Sequence, residues 1–293
     1  MRSILFAPAD QPRKIEKALA SAADAVVLDL EDSVAPAAKA AAREAAAQAL
    51  ALAHALAHAQ PRAGGPRLMV RVNGLDTPHI EADLDAVAPQ RPFAIMLPKA
   101  RGGDDVQHLA VKLAVREAES GLDDGAIGIV PLATETAGSL FRLGTYAGSS
   151  RRLIGLAWSA EDLAADLGAQ ANRVDGRFTP PFLLARNMAL FAAVGAGLSA
   201  FDAVFRDHRD LVGLRRECAE ARRDGFWGKL AIHPDQAAII NEAFAPSPDE
   251  AARAQRIADA FAAAPDAGVL SVDGAMVDRA HLAWARRVLS RMA

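Results

Sequence analysis

Short apolar runs alternate along this chain with longer stretches rich in alanine and charge. The runs are Ser3–Ala7, Ala25–Leu30, Leu68–Val72, Phe93–Leu97, Ala126–Leu132, Leu153–Ala157, Ala200–Phe205 and Leu230–Ile232. Most are continuous rather than alternating, as expected of parallel strands covered on both faces. Between them, Lys14–Ala22, Pro36–Ala57, Val106–Ser120, Ala160–Gly168, Pro180–Gly195 and Asp207–Asp224 carry helical patterns. Repeated βα units of this number predict an α/β fold, a closed (β/α)8 TIM barrel. A doubly wound open sheet is the alternative, but no G-x-G-x-x-G follows the first run.

His54–Pro66, with Gly64-Gly65-Pro66, reads as a loop. After the eighth run comes a tail. It holds a helix near Asp235–Ala243, a break at Pro246-Ser247-Pro248, a helix over Asp249–Ala264, the segment Ser271–Asp278 and a final helix. A barrel does not need this tail to close. The expected division is a barrel over residues 1–244 and a C-terminal helical extension over residues 245–293, acting as a lid or docking on a neighbouring subunit.

Composition narrows the field. Apolar residues make up 52% of the 293 residues, enough for a large core. Aromatics are only 5% and the net charge is −3 without a basic stripe, so nucleic acid is not the expected partner. The one cysteine, Cys218, excludes an intrachain disulfide and reads as a packing residue. No apolar run approaches 20 residues, so no membrane helix is expected. The basic-then-apolar start is too short for a signal peptide, and a cytoplasmic protein is the expectation.

In a barrel, residues just past each strand face one common mouth. There the chain places Asp10, Arg13 and Lys14, then Asp29, Glu31 and Asp32, then Arg71 and Asn73, then Lys99, Glu135, Asp162 and His233. Glu135 and Asp162 follow consecutive runs, and two carboxylates with waters and substrate oxygens make a usual Mg²⁺ site. Both also have ordinary readings. Ser159-Ala160-Glu161-Asp162 fits a helix-capping pattern, and Glu135 fits a first-turn carboxylate. Arg71 suits a carboxylate or developing oxyanion, or a buried pair with Glu31 or Asp32. Asp29–Asp32 can be a helix cap, and Lys99 a solvated loop charge. Arg13 and Lys14 suit a phosphate or a solvated first turn. His233 reads as a hydrogen-bonding core histidine rather than a base. No H-x-x-x-H spacing points to zinc.

Taken in order, several motifs resemble the HpcH/HpaI aldolase/citrate lyase family, in its citrate lyase β-subunit branch. They are Arg2-Ser3-Ile4-Leu5-Phe6-Ala7-Pro8, Leu28-Asp29-Leu30-Glu31-Asp32-Ser33-Val34 with Lys39 and Arg43, and Val70-Arg71-Val72-Asn73-Gly74. Met96-Leu97-Pro98-Lys99-Ala100, Thr134-Glu135-Thr136-Ala137 and Ser159–Gly168 continue the series. Gly225–Lys229, Ala231-Ile232-His233-Pro234 and Val272–Asp278 complete it across essentially the whole chain.

The resemblance implies a (β/α)8 barrel assembled as a trimer or hexamer. It implies Mg²⁺ on Glu135 and Asp162, Arg71 at the substrate, and carbon–carbon lyase chemistry on a short β-hydroxyacyl-CoA. It places Glu31, Asp32, Arg13 and Lys14 among candidate substrate contacts. Malyl-CoA and citramalyl-CoA lyases of the family also use a carboxyl group from the adjacent subunit's lid, and the matching position is Asp278. Two departures stand out. Pro8-Ala9 replaces the family's usual Pro-Gly, and Trp158 occupies a position where a smaller residue is expected. Rival expectations are a CoA-independent aldolase on a free acid, a thioesterase, and an accessory subunit acting on an acyl carrier protein.

Overall fold

The computed structural model describes residues 1–59 and 65–292. The chain divides into two compact units, Met1–Ala243 and Phe244–Ala293.

In the first unit, eight parallel strands are β1 (Ser3–Pro8), β2 (Ala25–Asp29), β3 (Arg67–Arg71), β4 (Ala94–Leu97), β5 (Gly128–Pro131), β6 (Gly155–Ala157), β9 (Ser199–Asp202) and β10 (Gly228–Ala231). Each lies beside its successor in the chain, and β10 returns to β1 with Ser3 opposite Lys229. Two isolated bridges, Ile129 to Leu153 and Leu132 to Ala157, join β5 to β6 and complete the ring. This is the (β/α)8 barrel that the eight apolar runs predict.

The barrel is filled rather than hollow. Ile4, Val27, Met69, Met96, Val130 and Phe201 meet inside it and are almost fully buried. Their neighbours Val26, Leu28, Val70 and Ile95 are buried as well. A parallel strand buried on both faces needs apolar residues at both parities, and this is why the runs are continuous. Gly228 is required by close approach: a Cβ there would sit 2.2 Å from the Arg2 carbonyl oxygen.

The connections are α1 (Pro12–Leu19), α2 (Lys39–Ala59), α3 (Ile80–Val87), α4 (Gly103–Glu119), the single turn α5 (Ala137–Leu140), α6 (Ala160–Leu167), α7 (Pro180–Gly195) and α8 (Leu211–Asp224), with α9 (Pro234–Phe244) after β10. A small antiparallel hairpin, β7 (Arg173–Val174) and β8 (Arg177–Phe178), precedes α7.

Several boundaries differ from the sequence expectation. The expected loop His54–Pro66 is helical through Ala59, because its alanines and leucines favour helix over coil; residues 60–64 lie outside the described residues. The helix expected from Asp207 begins at Leu211, because Asp210 caps it by accepting the Gly213 amide at 2.8 Å. The connection α3 was not expected. Its buried Asp83 accepts the Asn73 amide and Nδ2, at 2.8 and 2.6 Å, and Arg43 Nε at 2.6 Å, and so anchors the loop after β3.

Two buried ionic groups sit in the barrel wall. Glu117 is paired with Arg152 and also accepts the Gly125 and Ile127 amides, at 3.0 and 2.9 Å, beside the β5–β6 closure. Lys229, in the middle of β10, has no exposed surface and reaches Asp202 at 3.1 Å, Glu217 at 2.7 Å and the Ala203 carbonyl at 2.6 Å. The Asp202 carboxyl sits at about 2: burial opposes this, but the charges of Lys229 and Arg186 prevail. Cys218 packs nearby, and burial pushes its thiol up to about 12, so it stays a thiol.

The second unit has its own core. α10 (Pro248–Ala263) and α11 (Arg279–Ser290) bury Ala254, Ile257, Phe261, Leu282 and Ala285 against one another, with Val277 of β12. Between them β11 (Val269–Val272) and β12 (Ala275–Asp278) form a hairpin, turning through Asp273 and Gly274 at φ 51° and 77°. Ser247 and Glu250 cap α10 reciprocally, with Pro248 at its first position. Among the described residues, no helix is long and apolar enough to cross a membrane.

Candidate active site

At the C-terminal ends of the strands, charged side chains converge. Asp29 ends β2 and Arg71 ends β3, directly opposite in register. Arg71 donates from Nε and Nη2 to the two Asp29 oxygens, both at 2.7 Å, a bidentate fork. Its remaining Nη1 lies 2.9 Å from Glu31 Oε2, an ion pair rather than an aligned hydrogen bond. Asp29 is fixed in turn by the Glu31 amide at 3.0 Å and by the Ser33 hydroxyl. The expected partners of Arg71 were Glu31 or Asp32. The structure bears out Glu31 and adds Asp29, which sits in register with Arg71, while Asp32 pairs with Lys99.

Lys99 is the residue whose importance spacing did not show. It follows β4 in a left-handed conformation, φ 53°, and its backbone amide donates to Glu135. Its ammonium lies 3.6 Å from Glu31, 3.4 Å from Asp32 and 3.3 Å from Glu135, and also bonds Asp162. Four carboxylates from three βα units thus gather round one cation. The reading of Lys99 as a solvated loop charge does not hold, since these acids draw it inward. Its ammonium is stabilised well above the ordinary lysine value: burial opposes this, but the charge of Glu135 and the bond to Asp162 outweigh it.

Glu135 is buried just beyond β5. Burial first, and then the charge of Asp162, push its carboxyl up to about 8, although Lys99 pulls the other way. Asp162 lies on the first turn of α6. Ser159 caps that helix and also donates from its hydroxyl to Asp162 Oδ2 at 2.7 Å. Burial would raise Asp162, but the bonds from Lys99 and Ser159 hold it below the usual carboxylate range. Capping and clustering therefore coexist here. Glu31 is pushed up to about 7, chiefly by burial, against Arg71 and Lys99.

A cavity of about 1130 Å³ opens beside Asp29, Asp32, Arg71 and Asp162. Arg71, Asp32, Asp162, Phe6, Trp158 and Val204 line its inner part. Lys14 and Lys17 of α1, Ser21 just after it, and Pro234, Asp235 and Ala238 of α9 also line the cavity. Lys14 thus lines the cavity. Arg13 does not: it is exposed on the same turn, one residue round the helix. His233 also lines the cavity and is only half-buried, stacked on His208 with ring centres 4.7 Å apart. It is not the core histidine that the sequence implied.

Asp278 lies in the second unit, where it caps α11. Its Oδ1 accepts the Ala280 and His281 amides at 3.0 and 3.2 Å and meets the His281 ring at 2.7 Å. Hydrogen bonds from His281 hold its carboxyl below the usual range. All three contacts use the same oxygen.

The residue set matches a known family over most of the barrel. The HpcH/HpaI aldolase/citrate lyase model matches residues 2–234. The chain belongs to the HpcH/HpaI aldolase/citrate lyase family. Relatives cover its full length. A (3S)-malyl-CoA thioesterase of Cereibacter sphaeroides is 35% identical over 297 aligned positions, spanning 99% of this chain and 94% of the relative. Citrate lyase subunit beta of Escherichia coli is 34% identical, spanning 99% and 92%. Among solved structures, protein CitE of Mycobacterium tuberculosis, crystallised with magnesium, acetoacetate and coenzyme A, superposes with a TM-score of 0.75. It is 33% identical, covering 99% of this chain and 97% of CitE. A structure of the citrate lyase beta subunit from M. tuberculosis, complexed with oxaloacetate and magnesium, is also similar, at 34% identity and a TM-score of 0.68, covering 83% of this chain and 96% of that one.

Proposed function

We propose that this chain is a Mg²⁺-dependent carbon–carbon lyase. It cleaves or forms a short β-hydroxyacyl-CoA, giving an acyl-CoA and an oxo acid. The observation that carries this reading is a rigidly held arginine together with the carboxylates Glu135 and Asp162 gathered on Lys99, with Arg71 and Asp162 lining one cavity.

The site suits a divalent cation. Five carboxylates, Asp29, Glu31, Asp32, Glu135 and Asp162, face two cations, Arg71 and Lys99, leaving an excess of negative charge. Among the described residues, no three His, Cys, Asp or Glu side chains converge as a metal cluster. Glu135 and Asp162 would therefore be the protein donors, with water and substrate oxygens supplying the rest, as Mg²⁺ prefers. Bound there, the ion supplies Lewis acidity and a template for the oxygens of the oxo acid.

The chain's own groups do the remaining work. Arg71 cannot swing away, since Asp29 and Glu31 hold it from three nitrogens. In cleavage, a base takes the β-hydroxyl proton, the Cα–Cβ bond breaks to release the oxo acid, negative charge grows on the thioester oxygen, and the enolate carbon then takes a proton, the reverse of the α-proton removal in condensation. Preorganised positive charge aimed at that oxygen is what accelerates such a step, and Arg71 provides it. In condensation, the acyl α-proton must leave. Asp278 suits that role from a neighbouring subunit in a trimer or hexamer, because its Oδ2 takes none of the capping contacts. Lys14 and Lys17, on the cavity wall, suit the phosphates of CoA, while Glu31 and Asp32 orient Lys99 beside the substrate.

A second reading has a specific basis, since one relative is named a malyl-CoA thioesterase. The two are separated by incubating the protein with Mg²⁺ and malyl-CoA, citramalyl-CoA or citryl-CoA, following oxo acid and free thiol independently. Oxo acid without free thiol, abolished by EDTA, is the expected result. Thiol release alone would make the protein a thioesterase. Inactivity on every CoA ester would remove the stand-alone lyase reading.

A further inference from the structure

The junction between β5 and β6 differs from the rest of the ring. Every other pair of neighbouring strands is joined by a ladder of consecutive partners. β5 and β6 stand at the two ends of the strand order and are joined by isolated bridges instead, Ile129 to Leu153 and Leu132 to Ala157. Glu135 follows β5 and Asp162 follows β6, so the two carboxylates assigned to the metal stand on opposite sides of this seam. Their spacing is only as firm as the bonds that tie the seam beyond the strands.

Thr134 supplies the buried tie. Its side chain lies between β5 and Glu135 and is fully buried. Its hydroxyl accepts the Ser159 amide at 3.1 Å and donates to the Ser159 carbonyl at 3.4 Å. The Ala133 amide, donating to the Ala157 carbonyl at 2.8 Å, holds the backbone just before it. Ser159 in turn donates from its own hydroxyl to Asp162 Oδ2 at 2.7 Å. One path therefore runs from Glu135 through the Thr134 hydroxyl and Ser159 to Asp162. The other links are softer. Asp166 accepts the Ala137 amide at 2.7 Å across the same seam, but that bond is exposed to water. Lys99 reaches both carboxylates from β4, on a long side chain partly open to solvent. Thr136, on the other side of Glu135, uses its hydroxyl to cap α5.

We infer that Thr134 is a positioning residue, a latch across the β5–β6 seam that sets the separation of Glu135 and Asp162 for a divalent cation. The inference rests on the assignment of the metal to these two carboxylates and adds the residue that spaces them. Mg²⁺ demands near-ideal geometry from its oxygen ligands, so firmly spaced donors bind it better than loose ones. Valine has the shape of threonine but would remove both hydroxyl bonds and leave the Ser159 amide and carbonyl without that partner.

The test measures Mn²⁺ dissociation constants by electron paramagnetic resonance on the full-length protein, well below its melting temperature. Thr134→Val is expected to weaken Mn²⁺ binding by at least about tenfold, the scale on which groups that orient metal ligands act. Thr134→Ser keeps the hydroxyl and is expected to stay below that threshold. A threonine that served stability alone would lower the melting temperature when replaced and leave the affinity of the folded protein unmoved. A change below tenfold in Thr134→Val, or one of tenfold or more in Thr134→Ser, overturns the inference and leaves the metal assignment standing. Wild-type protein that binds no Mn²⁺, or that binds it equally well as Glu135→Gln, overturns the metal assignment and the inference with it. If Thr134→Val does not fold, Thr134→Cys, whose thiol is a weak donor and acceptor, takes its place under the same criterion.

Discussion

Glu135→Gln is expected to lower turnover by about 10³-fold or more and to abolish detectable Mn²⁺ binding at the site, followed by electron paramagnetic resonance. Glutamine keeps the shape and removes the charge. A carboxylate that holds a Lewis acid supports several kcal/mol of transition-state stabilisation, and each ~1.4 kcal/mol is tenfold in rate. The fold should survive the change. Burial and the charge of Asp162 disfavour the charged form more than Lys99 favours it, so a neutral side chain of the same shape costs the fold little. A melting temperature close to that of the wild type, together with lost Mn²⁺ binding, is the expected pair of results. Retained Mn²⁺ binding would move the metal site away from Glu135.

Arg71→Lys is expected to lower kcat by about 10²–10³-fold, the loss typical of removing one oriented donor at a developing oxyanion. Positive charge alone is not sufficient here. The guanidinium spans both Asp29 oxygens at 2.7 Å and reaches Glu31 with its third nitrogen, and a single ammonium cannot reproduce that fork. KM for the CoA ester should change far less than kcat, since the interaction strengthens only as the oxyanion forms. Steady-state kinetics beside a urea titration separates this from misfolding. A variant within threefold of the wild type in kcat would make Arg71 an anchor for Asp29 and nothing more.

The barrel was legible because its signal is simple. Strands buried on both faces must be largely apolar, and in seven of the eight the polar residues fall only at the strand ends. The exception is informative. Lys229 interrupts Gly228–Ala231 and is satisfied only by Asp202 and Glu217, which lie far away in sequence. A lysine inside such a run implies a buried partner, but spacing does not say which acid supplies it. Helix α3 was missed because it is short and follows an irregular loop, and its amphipathic pattern includes a buried aspartate. The β11–β12 hairpin carried a readable cue in Asp273-Gly274, a dipeptide suited to a turn with two positive φ values.

At the site, residue types were readable and assignments only partly so. Arg71, Glu135 and Asp162 stand where strand ends were expected to deliver them. Lys99 was passed over because nothing in Pro98-Lys99-Ala100 shows a left-handed backbone aiming the chain at four carboxylates. Arg13 and Lys14 looked equivalent in sequence, yet only Lys14 lines the cavity, since adjacent residues on a helix point about 100° apart. Trp158 was visible as a departure from the family pattern, but its tether to Asp202 depends on residues 44 positions apart.

The most direct test of carbon–carbon lyase chemistry runs the reaction towards synthesis. The protein, Mg²⁺, glyoxylate and acetyl-CoA deuterated in its methyl group are mixed, and the CoA esters are read by mass spectrometry. The account predicts a new β-hydroxyacyl-CoA whose mass is that of the deuterated acetyl-CoA plus the oxo acid, less one unit for the methyl deuteron exchanged with solvent, and which is absent when EDTA is present. Unchanged acetyl-CoA, or free CoA with no new ester, would contradict it.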